Sequence, residues 1–313
     1  MKETVLITGA AGFIGSNIAE YLQKVGKYRL ILIDDLSSGK LGNLSAMDYS
    51  EDIKFVRGSI MDRELLDILF REEGVDYVLH HAAIASVPAS IDTPLRTMEI
   101  NVNGTLNVFL AAQKSGVKRV VYASSSAYYG EKNTPPLTED MPPDPLSPYA
   151  SSKVMDEFMG RHFNDIYGLP TVGLRYFNVY GPKQSPDSQY AAVIPKFIER
   201  CRKDLAPVIF GDGKQTRDFV YVKDVAVVNH LLLNTGAADG KVLNIGTGEA
   251  IEINDVASLV IEMMGCKEKV DYRPERPGDI KHSFASIALA RNLLGFNPSY
   301  NLRQGLKEVL ENI

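Results

Sequence analysis

Residues 4–15, TVLITGAAGFIG, decide how the rest of the chain reads. An apolar run at 5–8 predicts a strand, and an amphipathic stretch at 14–25 predicts a helix. Gly9, Gly12 and Gly15 fall at the turn between them, spaced G-x-x-G-x-x-G. Glycine permits the tight turn, lets backbone approach a pyrophosphate, and allows close helix–strand packing. The helix start then offers unpaired N–H groups and the positive end of its dipole to phosphates. An ordinary glycine turn would need neither the strand before nor the helix after, so the context favours a dinucleotide cradle.

A carboxylate should then stand at the end of the second strand to hold the adenosine ribose. Asp34 is there, 34 − 15 = 19 residues past the last glycine, and Asp35 follows it. Its charge repels the extra phosphate of NADP and so favours NAD.

Further along, apolar runs at 30–33, 53–56, 77–80, 119–123 and 171–174 predict strands, with helices over 63–72, 95–113 and 149–166 between them. Alternation of this kind predicts an α/β fold, a Rossmann-like doubly wound parallel sheet. After residue 176 the rhythm breaks into polar, Gly/Pro-rich loops, with helices expected at 225–234, 255–264, 287–294 and 302–311. The expected division is an NAD-binding domain over 1–176 and a smaller C-terminal α/β substrate lobe over 177–313, some of whose segments return to the first domain.

Bulk composition excludes several classes. Of the 313 residues 45% are hydrophobic and 23% charged, the balance of an ordinary globular protein. A net charge of −5 with no basic run argues against a nucleic-acid partner. No run of about twenty apolar residues occurs, so no membrane span is expected. The chain runs almost at once into a strand, without a secretory leader pattern, and Cys201 and Cys266 read as reduced thiols, so a cytoplasmic location is expected. His80 and His81 are adjacent on a strand and point to opposite faces, so no metal site is expected.

Catalytic chemistry is suggested by Tyr149 and Lys153, four apart on a helix and therefore on one face. A free tyrosine ionises near pH 10, so acid/base work at neutral pH needs on the order of 4 kcal/mol of phenolate stabilisation. A neighbouring ammonium and an oxidised nicotinamide ring can supply it. The fifth strand ends in ASSSAYYG (123–130), placing Ser124, Ser125 and Ser126 at the carboxyl edge of the sheet, where doubly wound folds bind ligands.

Together these motifs resemble the extended short-chain dehydrogenase/reductase family and, within it, the UDP-sugar 4-epimerases. TGAAGFIG, HHAA (80–83), NVNGT (101–105), the serine turn, SPYASSK (147–153), LRYFNVYGP (174–182), RDFVYVKDV (217–225), LNIGTG (243–248) and RPGDI (276–280) carry the resemblance over nearly the whole chain. It implies that Tyr149 shuttles a proton and that Lys153 binds the nicotinamide ribose. The family's catalytic hydroxyl falls on Ser125, with Ser126 the alternative because this loop is one residue shorter than in some epimerases. The resemblance places Phe13 and Ile14 over the pyrophosphate and the turn of Asp35, Leu36, Ser37, Ser38 and Gly39 around the adenosine half. It also puts His81, Ala82 and Ala83 beside the cofactor, Asn101 as its buttress and Phe177 flanking the nicotinamide. Where the family often has Asp-Ile for adenine, this chain has Ser59 and Ile60. Ser86, Ser125, Ser126, Tyr149, Asn178, Val193, Arg217, Arg276 and Asp279 match nucleotide-sugar contacts, and an arginine fork suits a diphosphate. A position seven past the Arg of R-x-G-D, 276 + 7 = 283, gates the sugar's 2-substituent in the resembling epimerases; here it is Ser283, small enough to admit an N-acetyl group.

The relatives that dehydrate or decarboxylate carry an acid just after the catalytic hydroxyl, and this chain has Ser126 and Ala127. The resemblance therefore implies an isomerase, an NAD-dependent 4-epimerase of UDP-glucose/UDP-galactose and their N-acetyl counterparts, working through a transient 4-keto sugar. It further implies tightly retained NAD and a homodimer through the helices around 95–113 and 149–166. A UDP-glucuronate 4-epimerase, an NDP-sugar reductase, and a non-catalytic dinucleotide sensor are the alternatives.

Overall fold

The computed structural model describes residues 2–185, 192–275 and 280–312. Seven strands make one parallel sheet: β1 (Glu3–Thr8), β2 (Tyr28–Asp34), β3 (Ile53–Arg57), β4 (Tyr77–His80), β5 (Arg119–Ser125), β6 (Thr171–Tyr176) and, from much later, β11 (Val242–Ile245). Their order is β11-β6-β5-β4-β1-β2-β3. This is the doubly wound, Rossmann-like arrangement, reversing direction between β1 and β4, where such folds place their ligands.

Alternating side chains split the strands between two cores. Val5, Ile7, Leu30 and Leu32 face a cluster with α1 (Phe13–Val25), α8 (Val222–Leu233) and α10 (Ala288–Leu294). Leu6, Ile31 and Ile33 face the other side, against α2 (Arg63–Glu73), α5 (Gly104–Lys114) and the end of α6 (Pro148–Asp165). Burial on both faces is why these strands read as continuous apolar runs.

Sequence and structure differ over 95–113. In place of one helix, the structure has α4 (Pro94–Met98), a π-helical turn over Glu99–Asn103 and then α5, with a separate α3 (Val87–Asp92) before them. The widened turn buries Asn101 and aims its amide at the loop after β4.

The remaining elements pack around a third core. They are β7 (Asn178–Tyr180), α7 (Val193–Arg202), β8 (Val208–Phe210), β9 (Thr216–Arg217), β10 (Phe219–Tyr221), β12 (Ile251–Glu252), α9 (Ile253–Met264), β13 (Asp271–Arg273), β14 (His282–Ser283) and α11 (Leu302–Glu311). Asp218 stitches them to the main sheet: wholly buried, it accepts from Thr247 N and Oγ1, Gly248 N and Ala285 N at 2.7–3.1 Å.

Candidate active site

At the carboxyl edge of the sheet, the turn after β1 is made to approach its neighbours closely. Gly9 has φ +66°, and a Cβ there would sit 2.7 Å from Ala82 N. A Cβ on Gly15 would lie 2.2 Å from Gly9 O, so the helix can press on the turn only without a side chain. No side chain caps α1, which begins at Phe13 and Ile14, so its first N–H groups face outward as in an anion-binding helix start. Asp34 closes the far side. Its carboxylate accepts from Ala11 N at 2.9 Å and Leu36 N at 2.8 Å, and burial pushes it above its ordinary range despite those donors. A Cβ on Gly39 would meet Asp34 Oδ1 at 2.8 Å, so the turn of Leu36, Ser37 and Ser38 folds directly over the carboxylate. Asp35 accepts from Ser37 N at 2.9 Å within the same turn. Beyond it Ser59 Oγ accepts from Met61 N at 3.3 Å, and Ile60 is buried. This cradle, too tight for side chains and ending in a carboxylate, fits a dinucleotide with a free ribose diol.

The next wall is α6. Ser147 caps it by accepting from Ala150 N at 3.1 Å, and Pro148 occupies the first turn, where its missing N–H costs nothing. That start sets Tyr149 and Lys153 one turn apart, and Tyr149 N donates to Ser90 Oγ at 3.1 Å. Lys153 is buried, with Nζ 3.1 Å from Asp156 Oδ2. Burial pulls the ammonium down, but Asp156, Tyr149 and Glu157 together outweigh it and hold it above its usual range. Asn101 accepts from Ile84 N at 2.8 Å and donates to Ile84 O and Ser152 Oγ, tying the loop of Ala82 and Ala83 to α6.

Of the three serines, Ser124 is committed inward, donating to Glu157 at 2.5 Å. Ser125 accepts from Ala127 N at 3.1 Å, and Ser126 begins a short 3-10 turn to Tyr129. Beneath them Arg175 forks onto Glu157 at 2.8 and 2.7 Å, donates to Tyr129 Oη at 2.8 Å, and lies 3.5 Å from the Tyr128 ring centre. The two histidines are engaged in the protein's own contacts. His80 lies between the Thr8 and Thr105 hydroxyls at 2.7 and 2.9 Å, and His81 meets Tyr176 Oη at 3.0 Å.

A cavity of 280 Å³ opens under α7. Asn178, Val193 and Arg217 line it, together with Gln184, Phe210 and Gln215, which sequence reasoning missed. Gln184 follows β7, while Phe210 ends β8 and Gln215 lies in the turn after it; none belongs to a motif, so no spacing could have signalled them. Ser283 is buried and pairs in register with Arg217, on the strand edge beside this cavity. Ser86, expected at the substrate, and Phe177, expected beside the nicotinamide, lie outside this lining. Ser86 uses its hydroxyl to cap α3, and Phe177 is buried among Tyr129, Leu137, Ala285 and Ile287. Arg276 and Asp279 lie outside the described residues.

Residues 5–246 match the model of the NAD dependent epimerase/dehydratase family. The chain belongs to that family. NAD is thus its cofactor. Among relatives of this epimerase/dehydratase chain, a putative UDP-glucose 4-epimerase of Methanocaldococcus jannaschii is 38% identical over 98% of this chain and 97% of its own. Similar solved structures include the UDP-glucose 4-epimerase of Thermotoga maritima with UDP-glucose, at TM-score 0.92 and 37% identity over 99% and 98% of the two chains. The UDP-N-acetylglucosamine 4-epimerase of Methanobrevibacter ruminantium, in complex with UDP-N-acetylmuramic acid, has TM-score 0.92 and 40% identity over all of both chains.

Proposed function

We propose that the protein is an NAD-dependent 4-epimerase of UDP-hexoses that also accepts the N-acetylated sugars. The observation that carries this is the catalytic edge itself: Tyr149 and Lys153 stand on one helical turn beside a serine turn that continues into Ala127, without an acid for elimination. Held by the turn of Gly9, Gly12 and Gly15 and by Asp34, NAD would supply reversible hydride chemistry at the sugar's C4. The chain does the rest. Tyr149 accepts the 4-hydroxyl proton and later returns it, with Lys153 stabilising the phenolate. Ser125 holds the same oxygen, and Ser126 is the second hydroxyl within the turn. Ala127 offers no base to remove a further proton, so the 4-keto sugar is left to turn and be reduced on its other face.

The nucleotide half fits the cavity under α7, where Arg217 brings positive charge and Asn178 an amide. Ser283 adjoins this cavity with a side chain small enough to leave space for an N-acetyl group. Exposed Leu95, Met155 and Phe158 on α4 and α6 support a homodimer through these helices, since clustered apolar side chains mark association surfaces. The test is to incubate the purified protein with UDP-glucose, UDP-galactose and their N-acetyl forms and follow each sugar by proton NMR. Inversion at C4 without added cofactor is expected. Stoichiometric consumption of added NADH would instead identify a reductase.

A further inference from the structure

We propose that Asp156 is a positioning residue for the active-site lysine: its carboxylate, 3.1 Å from Nζ, holds the Lys153 ammonium and tunes the charge that reaches Tyr149. The proposal rests on reading Tyr149 and Lys153 as the acid/base pair. The three residues descend one face of α6 at i, i+4 and i+7, so Lys153 lies between the tyrosine and the carboxylate. Asp156 is 1% exposed and Lys153 4%. Water therefore screens neither charge, and each acts on its neighbours at low dielectric.

The carboxylate's surroundings point to charge rather than packing. Oδ1 has no hydrogen-bond partner. The nearby Thr105 hydroxyl favours the carboxylate less than Lys153 does, being itself engaged by Asn101 O at 2.5 Å and His80 Nε2 at 2.9 Å. A half-satisfied buried carboxylate is costly, and an apolar side chain would fill the space more cheaply. Burial pushes the Asp156 carboxyl up to about 6 even beside the ammonium. The other charged and titratable groups facing the pair are Tyr149 and Glu157 on α6, His80 at the end of β4, His81 just after it and Tyr122 on β5, with Arg175 on β6 behind Glu157. Glu157 is already answered by the Arg175 fork, and burial holds both histidines neutral. Asp156 is then the counter-ion left for Lys153.

The sign follows. Removing this negative charge makes a phenolate at Tyr149 easier to form. It also removes the largest of the charges that hold Lys153 protonated against burial, while Tyr149 and Glu157 keep the ammonium charged through the acid limb. In Asp156→Asn both limbs of the kcat/KM profile for 4-epimerisation should therefore move to lower pH, each by about one pH unit. A merely structural role would lower the rate or the melting temperature and leave the limbs in place. The phenolate can also be titrated without turnover, by ultraviolet difference between each protein and its Tyr149→Phe counterpart, as purified with NAD. A midpoint about one pH unit lower in Asp156→Asn is expected. Coincident titrations would overturn the proposal. A shifted titration in a protein that epimerises no UDP-sugar would instead leave Asp156 standing and refute the proposed function. Should Asp156→Asn fail to fold, the reciprocal measurement decides. In carboxyl-13C-aspartate protein, Lys153→Met should raise the pH at which the Asp156 resonance titrates, and an unchanged midpoint would equally overturn the idea.

Discussion

Arg175→Met tests whether the ion pair beneath the serine turn holds it in place. Arg175 is 3% exposed and Glu157 7%. The substitution removes two charge-assisted hydrogen bonds to Glu157, one to Tyr129 Oη, one to Glu139 O and the stacking on Tyr128. Glu157 is left buried with the Ser124 hydroxyl as its remaining donor among those bonds. Stranding a buried charge in this way costs about 3–5 kcal/mol. With an unfolding entropy of about 2.1 cal/mol/K per residue, 313 residues give roughly 0.66 kcal/mol/K, so the melting temperature should fall by about 5–8 °C. Calorimetry of the NAD-loaded protein measures it. Adding Glu157→Leu to the variant should recover at least half the loss, because an apolar pair of similar volume replaces a buried ion pair at little cost. Part of the loss persists, since Ser124 and Tyr129 each lose a partner. A single variant melting within 1 °C or so of wild type, or a double variant no better than the single, would refute the reasoning.

Gly15→Ala brings a Cβ to 2.2 Å from Gly9 O, so the turn must open; NAD released on denaturation should fall well below one per chain, and full occupancy would contradict the cradle. Asp34→Asn keeps the acceptor for one N–H while removing the charge, and should narrow the preference for NAD over NADP in a binding titration. Tyr149→Phe should abolish epimerisation while UDP-sugar affinity stays within a few-fold by calorimetry; a rate within tenfold of wild type would remove Tyr149 from the mechanism. Burial pulls His81 down to about 4 and His80 in the same direction, while unfolded histidine binds protons near 6.5. Stability is then full above about pH 6.5 and drains away as pH falls toward 4, His81 accounting for about 3 kcal/mol. His81→Gln should flatten that slope in urea melts taken across the pH range.

Much of the site's chemistry is local and therefore legible in the chain. Gly9, Gly12 and Gly15 lie within one turn, Asp34 ends the next strand, and Tyr149 and Lys153 share one helix face because a helix repeats every 3.6 residues. Such features depend on spacing alone. The apolar runs likewise announced parallel strands, since strands buried on both faces have no polar side to show. What the sequence left hidden depends on burial and on contacts between distant segments. The i, i+3 spacing of Lys153 and Asp156 was visible; that both are dry, with one oxygen unanswered, follows from β4, β5 and α5 closing over them. The short run at 242–245 became a seventh strand only because β6 presented a free edge. The π-turn at Asn101 interrupts a sequence that continues the helical pattern, held by bonds to Ile84 and Ser152. The cavity under α7 gathers Asn178 and Gln184 from one segment and Phe210 and Gln215 from another, and Arg217 meets Ser283 across 283 − 217 = 66 residues. Periodicity reports which way a side chain faces within its own element, whereas packing of whole elements decides what it meets there.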